Sequence, residues 1–234
     1  MRHGESEGNV AREAAVAEGA EVITVDRRDP DVPLSPRGRE QAQAVGQWLA
    51  GFAPDGPLTT WSSPYLRARQ TAEIALTTAG LPTAMRVDER LRDRELGVLD
   101  LLTTRGVVAR FPEEAQRRRW LGKLYYRPPG GESWADVALR LRSLLIDLER
   151  GEGTVLLFCH DAVITLLRYV LEGMEEPELL ELARTVTVAN GSVTRLVREP
   201  DGPWQLAAYN EDDHLLAAGV TPTEHEGETD DARH

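Results

Sequence analysis

The sequence has little cysteine, no long apolar run and a shortage of basic residues. Of its 234 residues, only Cys159 is a cysteine, so neither an intramolecular disulfide nor a cluster of thiolate metal ligands can form. This favours a reducing, cytoplasmic setting. No segment approaches the roughly 18 apolar residues of a membrane span. The N-terminal residues also lack the apolar stretch of a signal peptide. We therefore expect no membrane partner.

The chain is acidic. It has 27 lysines and arginines against 39 aspartates and glutamates, which gives a formal net charge of -12. A general nucleic-acid-binding protein needs a basic face, so we expect no nucleic-acid partner. A few clustered arginines can still form a positive pocket for a small anion. The apolar content of 41% is that of a globular protein with a sizeable core.

Helical and extended segments alternate along the chain. Helices are predicted over 37–50 after the start signal Ser35-Pro36, from about 65 to Gly80, over EEAQRRRWLGKLYY, and after the N-cap Ser133. Strands are predicted at about 58–62, in AMRVDERL, in TVLLFC, and in SVTRLVRE and WQLAAYN, which are expected to form a hairpin. The run TVLLFC is apolar on both faces, as is typical of a central strand in a parallel sheet. The alternation predicts a layered α/β fold.

The domain organisation is simple. We expect one domain over residues 1–217. Residues 218–234 are polar, charged and short of aromatic side chains, which predicts a disordered acidic tail.

The first stretch that indicates chemistry is RHGES, at the beginning of the sequence. Arg2 supplies a guanidinium and His3 a nucleophile, while Gly4 lets the backbone approach a ligand closely. Ser6 and Asn9 add short hydrogen-bonding groups. These are the requirements of an anion site, although a histidine beside an arginine is often a surface feature without a function.

Two later stretches offer matching groups. In SSPYLRARQTAE, Arg67 stands near the start of a helix after a strand, at the sheet end where ligands bind in open α/β folds. The alternative is a solvated helix arginine. In CHDA, His160 stands at a strand end that opens a helix, where an anion is favoured. The alternative is a histidine whose partners are purely structural.

The order of these motifs resembles the histidine phosphatase superfamily, also called the phosphoglycerate mutase-like family. PLSPRGREQA, NGSVTRL and YNEDDHL agree with further segments of that family, and the resemblance covers about residues 1–215. It implies a three-layer α/β/α sandwich with a mostly parallel central sheet. It also implies a metal-independent reaction without a cofactor.

The resemblance assigns roles to the residues. His3 would attack phosphorus and form a phosphohistidine. Arg2 and Arg67 would bind the phosphoryl oxygens with their planar forks. His160 would donate to the same oxygens, and Asn9 matches a phosphate-contacting asparagine. Ser6 and Gly4 would complete the phosphate site.

The general acid is less clearly marked. The family places it four residues before a glycine, which here is Asp93 relative to Gly97. Many members have glutamate there, so the shorter aspartate is a departure. Glu95 is a close competitor and Glu132 a more distant one. Each could instead cap a turn or pair with a neighbouring arginine.

Three functions remain open. The first is a phosphomonoesterase of the histidine acid phosphatase type that acts on a phosphorylated small molecule. The second is a mutase that moves phosphate between hydroxyls of one small acid. The third is a catalytically weak binding module, which the departure at Asp93 would support. The family also includes dimers, so a homodimer is possible.

One family feature is missing from this sequence. Family members carry a short apolar strand directly before RHG, and Met1 takes the place of its last residue. We expect that translation starts upstream and that Met1 is an alternative initiator. An intact mass equal to 25.9 kDa would contradict this expectation. A chain that truly starts at Met1 should be poorly stable, with disorder over residues 1–5.

Overall fold

The structure is a computed structural model that describes residues 1–54, 56–199 and 202–225. At its centre is a parallel sheet in which β1 (Leu58–Ser62) lies between β2 (Arg86–Val87) and β3 (Thr154–Phe158). The predicted hairpin is confirmed as a separate antiparallel pair, β4 (Val193–Arg198) and β5 (Trp204–Glu211).

The helices surround the sheet. They are α1 (Glu7–Ala17), α2 (Pro36–Ala50), α3 (Leu66–Thr78), α4 (Thr104–Arg110), α5 (Pro112–Tyr125), α6 (Trp134–Leu148), α7 (Asp161–Glu172), α8 (Glu176–Thr185) and α9 (Asp213–Ala217). Both predicted serine caps are confirmed. The Ser35 side chain accepts from the Gly38 amide, and the Ser133 side chain accepts from the Asp136 amide. The sequence analysis predicts no helix after RHGES, and α1 is therefore an addition from the structure.

The two faces of β3 explain the layers. Leu156 and Phe158 pack into a core with α2 and α3, whereas Val155 and Leu157 pack against a second core built mainly from α6 and α7. Successive side chains of a strand point to opposite faces, so one strand divides the two cores. The predicted three-layer α/β/α arrangement is confirmed.

The N-terminal residues extend the sheet beside β3. The Met1 amino group donates to the Leu157 carbonyl at 2.8 Å, and the His3 amide donates to the Cys159 carbonyl at 3.0 Å. On its other side, the Arg2 amide donates to the Ser192 carbonyl at 3.2 Å, just before β4. Residues 1–5, where we expected disorder in a chain starting at Met1, are thus buried and hydrogen-bonded.

The C-terminal segment 221–225 lies against the N-terminal loop. The Asn190 amide donates to the Thr223 carbonyl at 2.9 Å, and His225 is buried. Nε2 of His225 is 3.2 Å from a carboxylate oxygen of Glu5. The expectation of disorder from residue 218 is therefore wrong for 218–225, because polar side chains here find polar partners in the domain. The rest of the predicted tail, 226–234, lies outside the described residues.

Within the described ranges, no helix is both long enough and apolar enough to cross a membrane.

Candidate active site

His3 lies where the N-terminal segment leaves the edge of β3. Its carbonyl accepts from the Gly191 amide at 3.2 Å and from the Asn190 side chain at 3.1 Å. The next residue, Gly4, donates its amide to the Thr71 hydroxyl on α3 at 3.0 Å. The backbone on both sides of the His3 side chain is therefore fixed, and the ring is only 3% exposed.

The His3 ring is held in one tautomer. Nδ1 lies 2.7 Å from the Gly4 carbonyl oxygen, which can only accept, so Nδ1 carries the proton and Nε2 keeps its lone pair. Burial, and then the positive charges of Arg67, His160 and Arg2, lower the pKa of His3 well below its ordinary value. The ring is therefore neutral at pH 7 and offers Nε2 as a nucleophile.

His160 faces His3. It is the N-cap residue of α7, fully buried, and its ring meets that of His3 edge-on with the centroids 5.1 Å apart. Burial, then the arginines around it, lower the pKa of His160 well below its ordinary value.

The Ser63 hydroxyl orients this second imidazole. Its oxygen accepts from the Tyr65 amide at 3.2 Å and lies 2.8 Å from Nε2 of His160. A serine that donates to Nε2 places the proton of the neutral ring on Nδ1. Nδ1 is buried without a hydrogen-bond partner in the described part of the chain, at 3.3 Å from the Asp93 carboxylate. The ring can thus donate into the site.

The side chains of Arg67 and Arg2 both lie close to the two histidines. Arg67, buried at the start of α3, donates to both carboxylate oxygens of Asp29, at 2.8 and 3.2 Å, and to Asp93 at 3.3 Å. Burial works against the charge of Arg67, but the two aspartates raise its pKa on balance. The Arg2 side chain donates to the carbonyls of Val188 and His225, and burial lowers its pKa. Both remain cations at neutral pH.

Asp93 lies beside His160 and Arg67. Its Oδ2 lies 3.3 Å from Arg67 and 3.3 Å from Nδ1 of His160, whereas Glu95 is exposed. Glu132 instead holds the backbone at Glu95 in place, since its carboxylate accepts from the Arg140 side chain at 3.0 Å and from the Glu95 amide at 3.2 Å. The geometry favours Asp93 over both competitors.

Three of the residues predicted to bind phosphate, Ser6, Asn9 and Gly4, make contacts that stabilise the fold. The Ser6 side chain accepts from the Asn9 amide, and the Asn9 side chain accepts from Ser6, which together form the capping box of α1. A Cβ added to Gly4 would lie 2.3 Å from the Gly38 carbonyl oxygen. The structure therefore explains Gly4 by the close approach of α2 rather than by a ligand. The phosphate contacts predicted for Ser6, Asn9 and Gly4 stay predictions.

Besides Ser63, sequence reasoning missed three residues of the site. Asn190 holds the His3 carbonyl, and the NGSV motif was noted without this role. The Tyr65 ring lies 5.1 Å from the His160 ring and beneath Arg67. Burial, with the charges of Asp29 and Asp93, raises the pKa of Tyr65, so it stays protonated. Asp29 gave no sequence signal, because only the fold brings it to Arg67.

The described residues include no group of three or more histidine, cysteine, aspartate or glutamate side chains placed to hold a metal ion. The charged groups that act on the two histidines include Arg2, Arg67, Arg140 and Asp93.

Comparison with known proteins gives the same family as the motifs. The sequence model of the histidine phosphatase superfamily (branch 1) matches residues 1–212, and the chain belongs to this family. Among curated relatives, 6-phosphofructo-2-kinase/fructose-2,6-bisphosphatase of Gallus gallus is 34% identical over 75% of this chain. The match spans 33% of that relative's own length, so about a third of it is represented here.

Two further relatives match most of their own length. The 2,3-bisphosphoglycerate-dependent phosphoglycerate mutase 2 of Gloeobacter violaceus is 32% identical over 68% of this chain and 74% of its own. The solved structure of a mycobacterial glucosyl-3-phosphoglycerate phosphatase is 29% identical, covers 90% of this chain and 96% of its own, and superposes with a TM-score of 0.71. The relatives therefore include proteins named as phosphatases and as mutases.

Proposed function

We propose that this protein is a metal-independent phosphatase that hydrolyses a phosphomonoester of a small molecule through a phosphohistidine on His3. The observation that carries the proposal is the state of the His3 ring. It is buried, neutral and fixed with Nδ1 donating to the Gly4 carbonyl, so that Nε2 is free to attack.

The first half-reaction forms the N–P bond. The Nε2 lone pair of His3 attacks phosphorus while the bond from phosphorus to the leaving oxygen breaks. Arg67, Arg2 and the Nδ1–H of His160 compensate the negative charge on the phosphoryl oxygens. Asp93 takes up the proton that the phosphate monoester brings into the site and gives it to the leaving alkoxide.

The second half-reaction restores the enzyme. Asp93, now a carboxylate, takes a proton from water while the water oxygen attacks phosphorus. The N–P bond breaks, its electron pair returns to Nε2 of His3, and inorganic phosphate leaves. No redox partner is needed, and protons and charges balance over the two steps.

The direct test uses p-nitrophenyl phosphate and the variant His3→Ala. Wild type should release p-nitrophenol at least about a thousandfold faster than the variant, as expected for loss of a covalent nucleophile. Rapid quenching should also trap an acid-labile, base-stable phosphoenzyme in wild type only. Equal rates for the two proteins would support the catalytically weak binding module instead.

A mutase is the second candidate, because a phosphoglycerate mutase is among the relatives. We favour hydrolysis for two reasons. The mutases of the family typically carry a longer, characteristic stretch of the type ERHYG at the acid, where this chain has DRELGVLDLL. Other relatives are named as phosphatases. Incubation with 3-phosphoglycerate and catalytic 2,3-bisphosphoglycerate, followed by ³¹P NMR, separates the two. A phosphatase yields inorganic phosphate, whereas a mutase yields 2-phosphoglycerate.

The substrate class is part of the proposal. Two relatives are named for phosphate esters of sugars or sugar acids, so sugar phosphates and phosphoglycerates head the panel to be tested. Nucleotides and phosphopeptides complete it. A homodimer and a cytoplasmic setting also remain proposals. Sedimentation velocity tests the first and fractionation of the native cells the second.

A further inference from the structure

A carboxylate of the chain itself occupies the fork of Arg67. Both carboxylate oxygens of Asp29 accept from this guanidinium, at 2.8 and 3.2 Å, and the Asp29 carbonyl accepts a third bond at 2.8 Å. This is the two-pronged geometry in which arginine binds carboxylate or phosphate. The Arg67 side chain is 6% exposed and Asp29 is 38% exposed, so the pair lies at the mouth of the site.

Asp29 comes from a different part of the chain than Arg67. It begins a short 3-10 helix, Asp29–Asp31, in the connection between α1 and α2. The amides of Asp31 and Val32 donate back to Arg28 and Asp29, so these bonds are local to the turn. Residues 26–28 are exposed. The partly exposed side chain of Asp29 can therefore rotate away from Arg67 without breaking the hydrogen bonds that maintain the turn.

A phosphoryl group and Asp29 would compete for the terminal nitrogens of Arg67. Two of its nitrogens already donate to Asp29, and one of these also donates to Asp93. A phosphoryl group that uses the same donors must first displace the Asp29 carboxylate. Because Asp29 is tethered to the same chain, it competes at a high effective concentration.

Resting on the proposed function, we infer that Asp29 is an intramolecular competitor of the phosphoryl group for Arg67 and thereby sets the affinity of the site. Asp29 leaves Arg67 when phosphate binds and returns when it departs. It lowers affinity for substrate and for product alike, and a weakly held product favours turnover. Asp29 takes no part in bond breaking.

The test compares Asp29→Ala and Asp29→Asn with wild type. Removing the competitor should lower the Kd of inorganic phosphate and the KM of p-nitrophenyl phosphate by roughly five- to tenfold, as for a partly exposed bidentate pair. The kcat should change less than about twofold, or fall if phosphate release limits turnover. Asp31→Asn is the matched control. Asp31 lies two residues away and pairs with exposed Arg28, so both constants should stay at their wild-type values.

A role of Asp29 in positioning Arg67 would give the opposite result. If Asp29 instead positions Arg67, both variants will weaken phosphate binding or lower kcat at an unchanged KM, and the inference is overturned. Phosphate binding is followed by calorimetry, which needs no turnover. A wild-type protein that binds phosphate without hydrolysing any ester would thus defeat the proposed function while still deciding the role of Asp29.

Discussion

The hydroxyl of Ser63 lies 2.8 Å from Nε2 of His160 and connects the end of β1 to the second imidazole of the site. The Ser63 hydroxyl can donate to Nε2 while its oxygen accepts from the Tyr65 amide, and this arrangement leaves the ring proton on Nδ1, the nitrogen that faces Asp93. In that tautomer, His160 can donate from Nδ1 to a phosphoryl group.

Replacing Ser63 with alanine should therefore impair catalysis more than binding. Without the hydroxyl, Nε2 loses its partner and the tautomer is no longer fixed, so kcat should fall about tenfold. KM should change little. Steady-state kinetics of Ser63→Ala and Ser63→Thr measure both constants. Threonine retains the hydroxyl, so failure of Ser63→Thr to recover kcat would contradict this role.

Two single substitutions, Asp93→Asn and Glu95→Gln, identify the general acid. Asp93→Asn removes the proton donor near the leaving group and should lower kcat about a hundredfold for an alkyl phosphate. The loss should be much smaller for p-nitrophenyl phosphate, whose leaving group needs no proton. Glu95→Gln is the matched control, because that carboxylate is exposed and Asp93 is not. A large loss in Glu95→Gln alone would reverse the assignment.

His3 and His160 make the stability of the protein depend on pH. Their pKa values are lowered in the folded protein, so below pH of about 6.5 the unfolded chain binds protons that the folded protein does not. This contribution to stability is fully present above that pH and is lost as the pH falls. The slope approaches about 1.4 kcal/mol per pH unit for each histidine.

Urea unfolding between pH 7.5 and 5.5 measures this dependence for wild type and His3→Gln. The variant lacks one of the two titrations, so its free energy of unfolding should fall less steeply. Parallel curves would mean that His3 is protonated equally in both states.

The C-terminal segment should contribute measurably to stability. The Thr223 hydroxyl accepts from the Gln41 side chain at 3.0 Å and donates to the Asn190 side chain at 3.3 Å, and both partners are fully buried. Thr223→Val leaves these groups unmatched and should cost about 1–2 kcal/mol. Thr221→Val is the control, because this exposed residue contributes its carbonyl to the same network. Chemical denaturation of both variants should give different midpoints.

Gly4 should tolerate no side chain. A Cβ there meets the Gly38 carbonyl oxygen at 2.3 Å, a backbone atom that cannot rotate away. Gly4→Ala should lower stability by about 2–3 kcal/mol. Gly8→Ala is the comparison, because its nearest neighbour lies 3.4 Å away and Gly8 is inside α1. It should be neutral or stabilising by up to about 1 kcal/mol. Thermal melts of the two variants should therefore move apart.

The sequence was most informative where local pattern and function coincide. The strand at Leu58–Ser62 and the position of His160 at the end of β3 were predicted, because buried strands have a marked composition and capping residues are local. Helix α1 was not predicted, because Ser6 and Asn9 also suit an anion site and their capping role is not distinguishable from that in the sequence.

The remaining differences between the sequence predictions and the structure have a common cause. Asp29 reaches Arg67 across 38 positions, and His225 reaches Glu5 across 220. Neither pairing leaves a periodic trace in the sequence, because each depends on how distant segments are folded together. The polar composition of 218–225 suggested solvent exposure, yet its groups bind partners inside the domain.

The side chain of Asn190 donates a hydrogen bond to the carbonyl of His3, 187 positions away in the sequence, and the Thr223 hydroxyl donates to the side chain of Asn190. Both partners in this chain of contacts follow His3 in the sequence. The His3 backbone is therefore held in place only after the segments around positions 190 and 223 have been synthesised and have folded onto it.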